Sequence, residues 1–318
     1  MLAAALLAAT AIVPFPTTTQ AQSRLKVVST VAPITNIVLN VGGTRIDLEG
    51  IIPGGVDSHT FEPSPSDARK LAAADLIVVN GLALEGTTID LAEANLKPGA
   101  TILELGDNTL TRDQWVFDFS FPEEDGDPNP HVWMGPIYAA RYAELIRDAL
   151  TEKDPAGADY YNSNTIRFQG KIDELDRAIM ATVPTIPEQS RKLLTYHDSF
   201  AYFSPRYGMT VIGAIQPSDF GEPSPREVAQ LIDQIRAESV PAIFGSEVFP
   251  SPVLEQIARE TGARYYDDLR DDDLPGEENA PEHTYLGMMK FDVQTMATAL
   301  GGSPAPLEAF DPRNTFGR

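Results

Sequence analysis

Residues 158–183 read ADYYNSNTIRFQGKIDELDRAIMATV, and Pro184 and Pro187 follow at once. Ile166, Ile172, Leu175, Ile179 and Met180 recur at helical spacing with charged residues between them. The stretch therefore predicts one long helix that ends near Pro184, whose ring supplies no N–H to continue it. About 25 helical residues span roughly 37 Å, the scale of a small domain. A helix of that length joins two lobes as a stiff rod rather than a loose hinge.

On both sides of this helix, short apolar runs alternate with helical patterns. Leu25–Val31, Leu76–Asn80 and Thr101–Leu105 read as strands before it. Lys192–Tyr196, Thr210–Ile215, Pro241–Gly245 and Ala263–Tyr266 read as strands after it. Helical stretches at Ser66–Ala74, Arg226–Ala237 and Val253–Thr261 lie between strands. Two helix starts are marked by a Ser cap, a Pro at the first helical position and an acid at the third: Ser64-Pro65-Ser66-Asp67 and Ser224-Pro225-Arg226-Glu227. The expected fold is α/β, with two lobes of mainly parallel sheet flanked by helices and joined by the long helix.

Composition narrows the setting. The 318 residues suit two modest domains, and 42% hydrophobic with 22% charged residues is ordinary for a globular chain. Met1–Ala21 carries no charged side chain, its Leu2–Pro14 run is apolar, and Thr19-Gln20-Ala21 ends in a small residue. This reads as a signal peptide that lacks the usual basic start. The expected organisation is thus a signal peptide over 1–21, a first lobe over 22–156, the linker helix over 157–187 and a second lobe over 188–318. The chain contains no cysteine, so neither disulfides nor a lipid on an N-terminal cysteine are expected, and a free periplasmic protein fits. The formal charge of −22 repels nucleic acid and attracts cations.

Only four histidines occur, His59, His131, His197 and His283. His59 precedes a capped helix, His131 precedes the helix that begins near Pro136, and His197 directly follows a strand. Taken singly, each is most simply a surface or core imidazole. Three at strand-to-helix junctions or helix mouths occupy the edge where open α/β sheets bind ligands. Neither a His-Glu-x-x-His helix nor a Cys ligand pair is present, so any metal site must be assembled from distant residues.

The segments around these histidines resemble the zinc and manganese receptors, the metal-binding solute-binding proteins of ABC transporters. The resemblance rests on Asp57-Ser58-His59-Thr60-Phe61-Glu62-Pro63, Pro130-His131-Val132-Trp133-Met134-Gly135-Pro136 and the run from His197 to Gly208. It extends through Ile243-Phe244-Gly245-Ser246-Glu247 and Thr284-Tyr285-Leu286-Gly287, in order over nearly the whole mature chain. It implies a receptor that holds one divalent ion between its lobes and passes it to a membrane permease, with no bound nucleotide and as a monomer.

The resemblance also implies ligands. His59 and His131 would come from the first lobe and His197 from the second. The fourth would be an acid just after a late strand, for which Asp267 aligns best, with Asp272 as a second register. Glu247 and Trp133 would lie beside the metal's ligands. His283 matches no ligand position and reads as exposed, and Asp271, Asp272 and Asp273 read as a solvated loop. Three imidazoles and a carboxylate favour zinc over manganese or iron. The rival from another class is a secreted zinc hydrolase, with three His ligands and Asp267 or Glu247 as base. Histidine ligation implies an affinity that falls below pH ~6.5.

Overall fold

In the computed structural model, which describes residues 24–216, 221–246, 248 and 251–316, each half of the chain builds one four-stranded parallel sheet. The first half runs β1 (Leu25–Ser29), α1 (Ala32–Gly42), β2 (Ile46–Gly50), α2 (Pro65–Ala73), β3 (Leu76–Val79), α3 (Gly86–Asn95), β4 (Thr101–Glu104) and α4 (Pro136–Lys153). The long helix α5 (Ala158–Thr182) follows. The second half runs β5 (Lys192–Thr195), α6 (Ser204–Tyr207), β6 (Thr210–Ala214), α7 (Pro225–Glu238), β7 (Ala242–Ser246), α8 (Pro252–Thr261), β8 (Arg264–Leu269), α9 (Tyr285–Ala299) and α10 (Ala305–Glu308). The expected signal peptide and Glu247 lie outside the described residues.

The strand orders are β2-β1-β3-β4 and β6-β5-β7-β8, so the two sheets share one topology. Their central strands are apolar on both faces: all four residues of β3 and all five of β7 are buried, as helices on both sides of a parallel sheet require. The two capped helix starts form as read. Ser64 and Ser224 each accept from the N–H three residues on, and Asp67 and Glu227 reach back to the cap N–H.

The α5 helix buries Tyr161, Phe168, Ile172, Leu175 and Ile179. Two residues of the expected apolar face point elsewhere: Ile166 is 60% exposed and Met180 42%. The buried stripe steps by three or four from Phe168, so Phe168 supplies the turn that Ile166 was expected to fill. Phe168→Ala should cost about 3–5 kcal/mol. Ile166→Ala should stay within about 0.5 kcal/mol. Denaturant-unfolding midpoints of the two variants check this, and the reverse order would put the wrong face inward.

One hydrophobic cluster runs through both halves. It joins Val31, Ile34 and Val38 of the first half to α5, and onward to Phe200, Phe203, Met288 and Val293 of the second. Smaller clusters back each sheet on its own side. The α9 helix packs on α1 and α5, and the C-terminal residues Asn314 and Thr315 hydrogen-bond to Asn36 and Asn40 of α1. The halves are therefore held by a shared core as well as by a connecting helix.

Candidate metal centre

The loops that leave the C-terminal ends of the strands face one another across the two sheets. His59 lies in the loop between β2 and α2, where Asp57 shapes the turn by accepting from the His59 N–H (2.9 Å) and the Thr60 hydroxyl (2.6 Å). His131 follows Pro130, whose carbonyl accepts from the Asn80 amide at 2.8 Å, and Tyr142 in turn donates to Asn80 Oδ1 at 2.7 Å. His197 leaves β5 two residues past its end.

These loops bring the three imidazoles to one point. His131 Nε2 lies 3.1 Å from both His59 Nε2 and His197 Nε2. A tetrahedral ion bound at about 2.0–2.1 Å would space its donors about 3.3 Å apart, close to the two separations about His131, and all three imidazoles offer a nitrogen within 4.8 Å of the others. The orientation of His131 is fixed from behind. The Asn129 side-chain amide donates to Asp118 Oδ2 (2.7 Å) and to the Asp198 carbonyl (2.5 Å), which turns Asn129 Oδ1 toward His131. That oxygen accepts from His131 Nδ1 at 3.0 Å, so Nε2 presents its lone pair to the cluster. Asn129→Leu should weaken ion binding about 10–100-fold. A chelator-competition titration checks this, with an unchanged affinity counting against the orientation.

The carboxylate that meets the imidazoles is Asp271, not Asp267. Asp271 Oδ2 lies 2.8 Å from His197 Nε2 and 4.0 Å from His131 Nε2. Asp267 is exposed within β8. The strand does not end at Tyr266: β8 runs on to Leu269, and Phe244 pairs with Tyr266 while Ser246 pairs with Leu269, one extra residue on β8 over that interval. The strand thus continues three residues beyond Tyr266, and the first turn past its end delivers Asp271.

The solvated-loop reading fails for Asp271 and Asp272, which are 3% and 4% exposed. Asp272 accepts from the Ser58 N–H (3.0 Å) and hydroxyl (2.8 Å), tying the His59 loop to the opposite half of the molecule. Trp133 is fully buried, packs tilted against His131 with ring centres 5.1 Å apart and donates its indole N–H to the Asp271 carbonyl at 3.0 Å. Phe121 packs on His59 and His131. His283 is half-buried, its Nδ1 3.3 Å from the Pro275 and Gly276 carbonyls, rather than exposed. Asn129 was legible in principle, as an amide two residues before a histidine between prolines. Asp271 had no local signal that set it apart from its acidic neighbours.

Burial dominates the protonation of the cluster. It lowers His59 to about 3, helped by the charge of His197, and holds His131 well below the usual imidazole range for the same two reasons. For His197, burial also favours the neutral form, but the Asp271 carboxylate outweighs it and raises the pKa to about 9. Burial raises Asp271 too, yet the adjacent His197 charge brings it below the ordinary carboxyl value. Asp272 is raised to about 7 by burial and by the Asp271 charge.

Residues 27–299 match the family described as ZnuA, zinc-uptake complex component A, periplasmic. The chain belongs to this family. Among the relatives of this receptor is the iron-binding protein YfeA of Yersinia pestis, 32% identical over 278 residues, with 87% of each chain covered. Another is the manganese-binding lipoprotein MntA of Halalkalibacterium halodurans, 28% identical, covering 87% of this receptor and 88% of MntA. The periplasmic zinc-binding protein TroA of Treponema pallidum has a similar structure. Its TM-score is 0.79 at 26% identity, covering 87% of this receptor and 99% of TroA. The receptor is accordingly a metal-binding solute-binding protein of an ABC transporter, with the doubly wound two-sheet fold of TroA. Its family is one of transport proteins rather than enzymes.

Proposed function

We propose that this receptor, exported from the cytoplasm, captures one divalent transition-metal ion and delivers it to a membrane permease, with zinc the preferred cargo. The lobes 22–156 and 188–318 would meet at the ion, with 157–187 as the rigid connection. The ligands would be His59 and His131 from one lobe, His197 and Asp271 from the other. The observation that carries the reading is the convergence of three Nε2 atoms, 3.1 Å apart about His131, with the Asp271 carboxylate on His197 at 2.8 Å. Three nitrogens and one carboxylate are a zinc donor set, and the general order of divalent affinities places zinc above manganese at nitrogen and oxygen donors. The relatives' names span iron, manganese and zinc, which supports manganese or iron as the second reading.

Calorimetric titration of zinc and of manganese into chelator-stripped protein tests this. The expected result is one tight equivalent, with zinc at least about tenfold tighter than manganese. Tighter manganese would transfer the cargo to the second reading. Tight binding of neither ion would overturn the receptor's proposed cargo class.

A further inference from the structure

A cavity of about 140 Å³ opens beside the cluster, and the imidazole on its wall is that of His59. That is well above the roughly 10–15 Å³ a single water needs, so there is room for an ion that keeps part of its hydration shell. His59 is half-buried, whereas His131 is 0% exposed and His197 2%. Solvent thus reaches the cluster at His59. Asp125 and Asp127, both exposed, line the same cavity.

Part of the cavity's wall is an unusual turn. Gly81, Leu82 and Ala83 are consecutive residues with φ of 79°, 52° and 64°, a left-handed run that L side chains seldom adopt. Buried Glu85 secures it by accepting from the Asn80 N–H (2.9 Å) and the Gly81 N–H (3.0 Å), and Asp107 accepts from the Leu82 N–H (2.8 Å). Backbone in such a conformation persists only where its surroundings fix it. The result sets Leu82, Ala83 and Leu84 along the cavity, with Ala83 exposed.

The alternative route is less favourable. Separating the lobes would break the Ser58–Asp272 pair, the Asn129–Asp198 carbonyl bond and the Trp133–Asp271 carbonyl bond, besides disturbing the shared core. None of the residues that make these three bonds lines the cavity. We propose that the cation reaches its ligands through this cavity, meeting His59 first, while the lobes stay together. Asp125 and Asp127 raise the rate of capture at its mouth, and Ala83 keeps that mouth clear. This inference rests on the receptor reading above.

Stopped-flow kinetics of zinc binding to the whole receptor, and of zinc loss to a chelator, test the route. Ala83→Trp should slow association and dissociation together by about tenfold or more, with the equilibrium affinity within about twofold of the parent. The Asp125→Asn/Asp127→Asn double variant, changed only at exposed positions, carries the test independently of how Ala83→Trp folds. Its association rate should fall about three- to tenfold at low salt, and the difference should vanish at high salt. Parental rates in both variants, with tight zinc binding retained, would overturn the port and leave exchange by lobe separation. Failure of the parent protein to bind zinc or manganese tightly would instead overturn the receptor reading.

Discussion

Asp271→Ala should remove tight zinc binding, and Asp267→Ala should leave it within about twofold of the parent. The loss expected at Asp271 exceeds the roughly 10–100-fold that partners outside the ligand shell cost when removed. Two effects add there. As a ligand, the carboxylate 2.8 Å from His197 would supply the negative charge that offsets the cation, and its deletion leaves a buried cluster of imidazoles with less compensation. Asp267 is exposed within β8, whereas Asp271 is buried against His197. Asp272→Ala should fall between the two, because it releases the Ser58 loop without removing a donor. Competition titrations against a chelator of known affinity rank the three. An Asp267 effect larger than that of Asp271 would return the fourth ligand to the earlier register.

The second large effect is on pH. In the empty receptor His197 carries a proton at neutral pH, because its pKa is raised to about 9 beside Asp271. His59 and His131 are already neutral there, since both are lowered. A cation at His197 Nε2 must displace that one proton. Zinc affinity should therefore rise about tenfold per pH unit from neutrality to about pH 9, then level off. The unperturbed imidazole value would instead have levelled it near 6.5. Calorimetry at pH 7.5 in two buffers of different ionisation enthalpy should show about one proton released per ion. No release would contradict the His197–Asp271 pairing. The sign for the empty protein is opposite: a pKa raised on folding gives stability that is full below about 6.5 and is lost as pH rises through about 9.

Much of this architecture could be read from residues alone, and the failures have physical causes. The buried runs of β3 and β7 and the capped starts of α2 and α7 are local signals, and each appears where expected. The edge strand β2, Ile-Asp-Leu-Glu-Gly, alternates with charge on an exposed flank and gives only a weak strand signal. The α1 helix follows β1 after two residues and has no side-chain cap, so the apolar run Leu25–Val31 hides the boundary. Ile166 and Met180 look like core by composition and are surface by angle. The shared topology of the two sheets is not announced by any repeat of short period in the sequence.

The site divides the same way. Three histidines were legible because strand ends and helix starts place them, and the structure brings those three together. The acid was not, because its position depends on where β8 ends. That end lies at Leu269, paired with Ser246 of β7 past a register shift, a tertiary pairing that no local pattern encodes. Ser58, Asn129 and Trp133 likewise act through partners 69 to 214 residues away.

On the function proposed above, both halves of the molecule hold one ion between them. Anomalous diffraction at the zinc edge from crystals of the zinc-loaded receptor tests it most directly. One peak is expected, about 2.0–2.1 Å from the Nε2 atoms of His59, His131 and His197 and from an oxygen of Asp271. A peak bound by residues of one half alone, or lying outside the cluster, would contradict it.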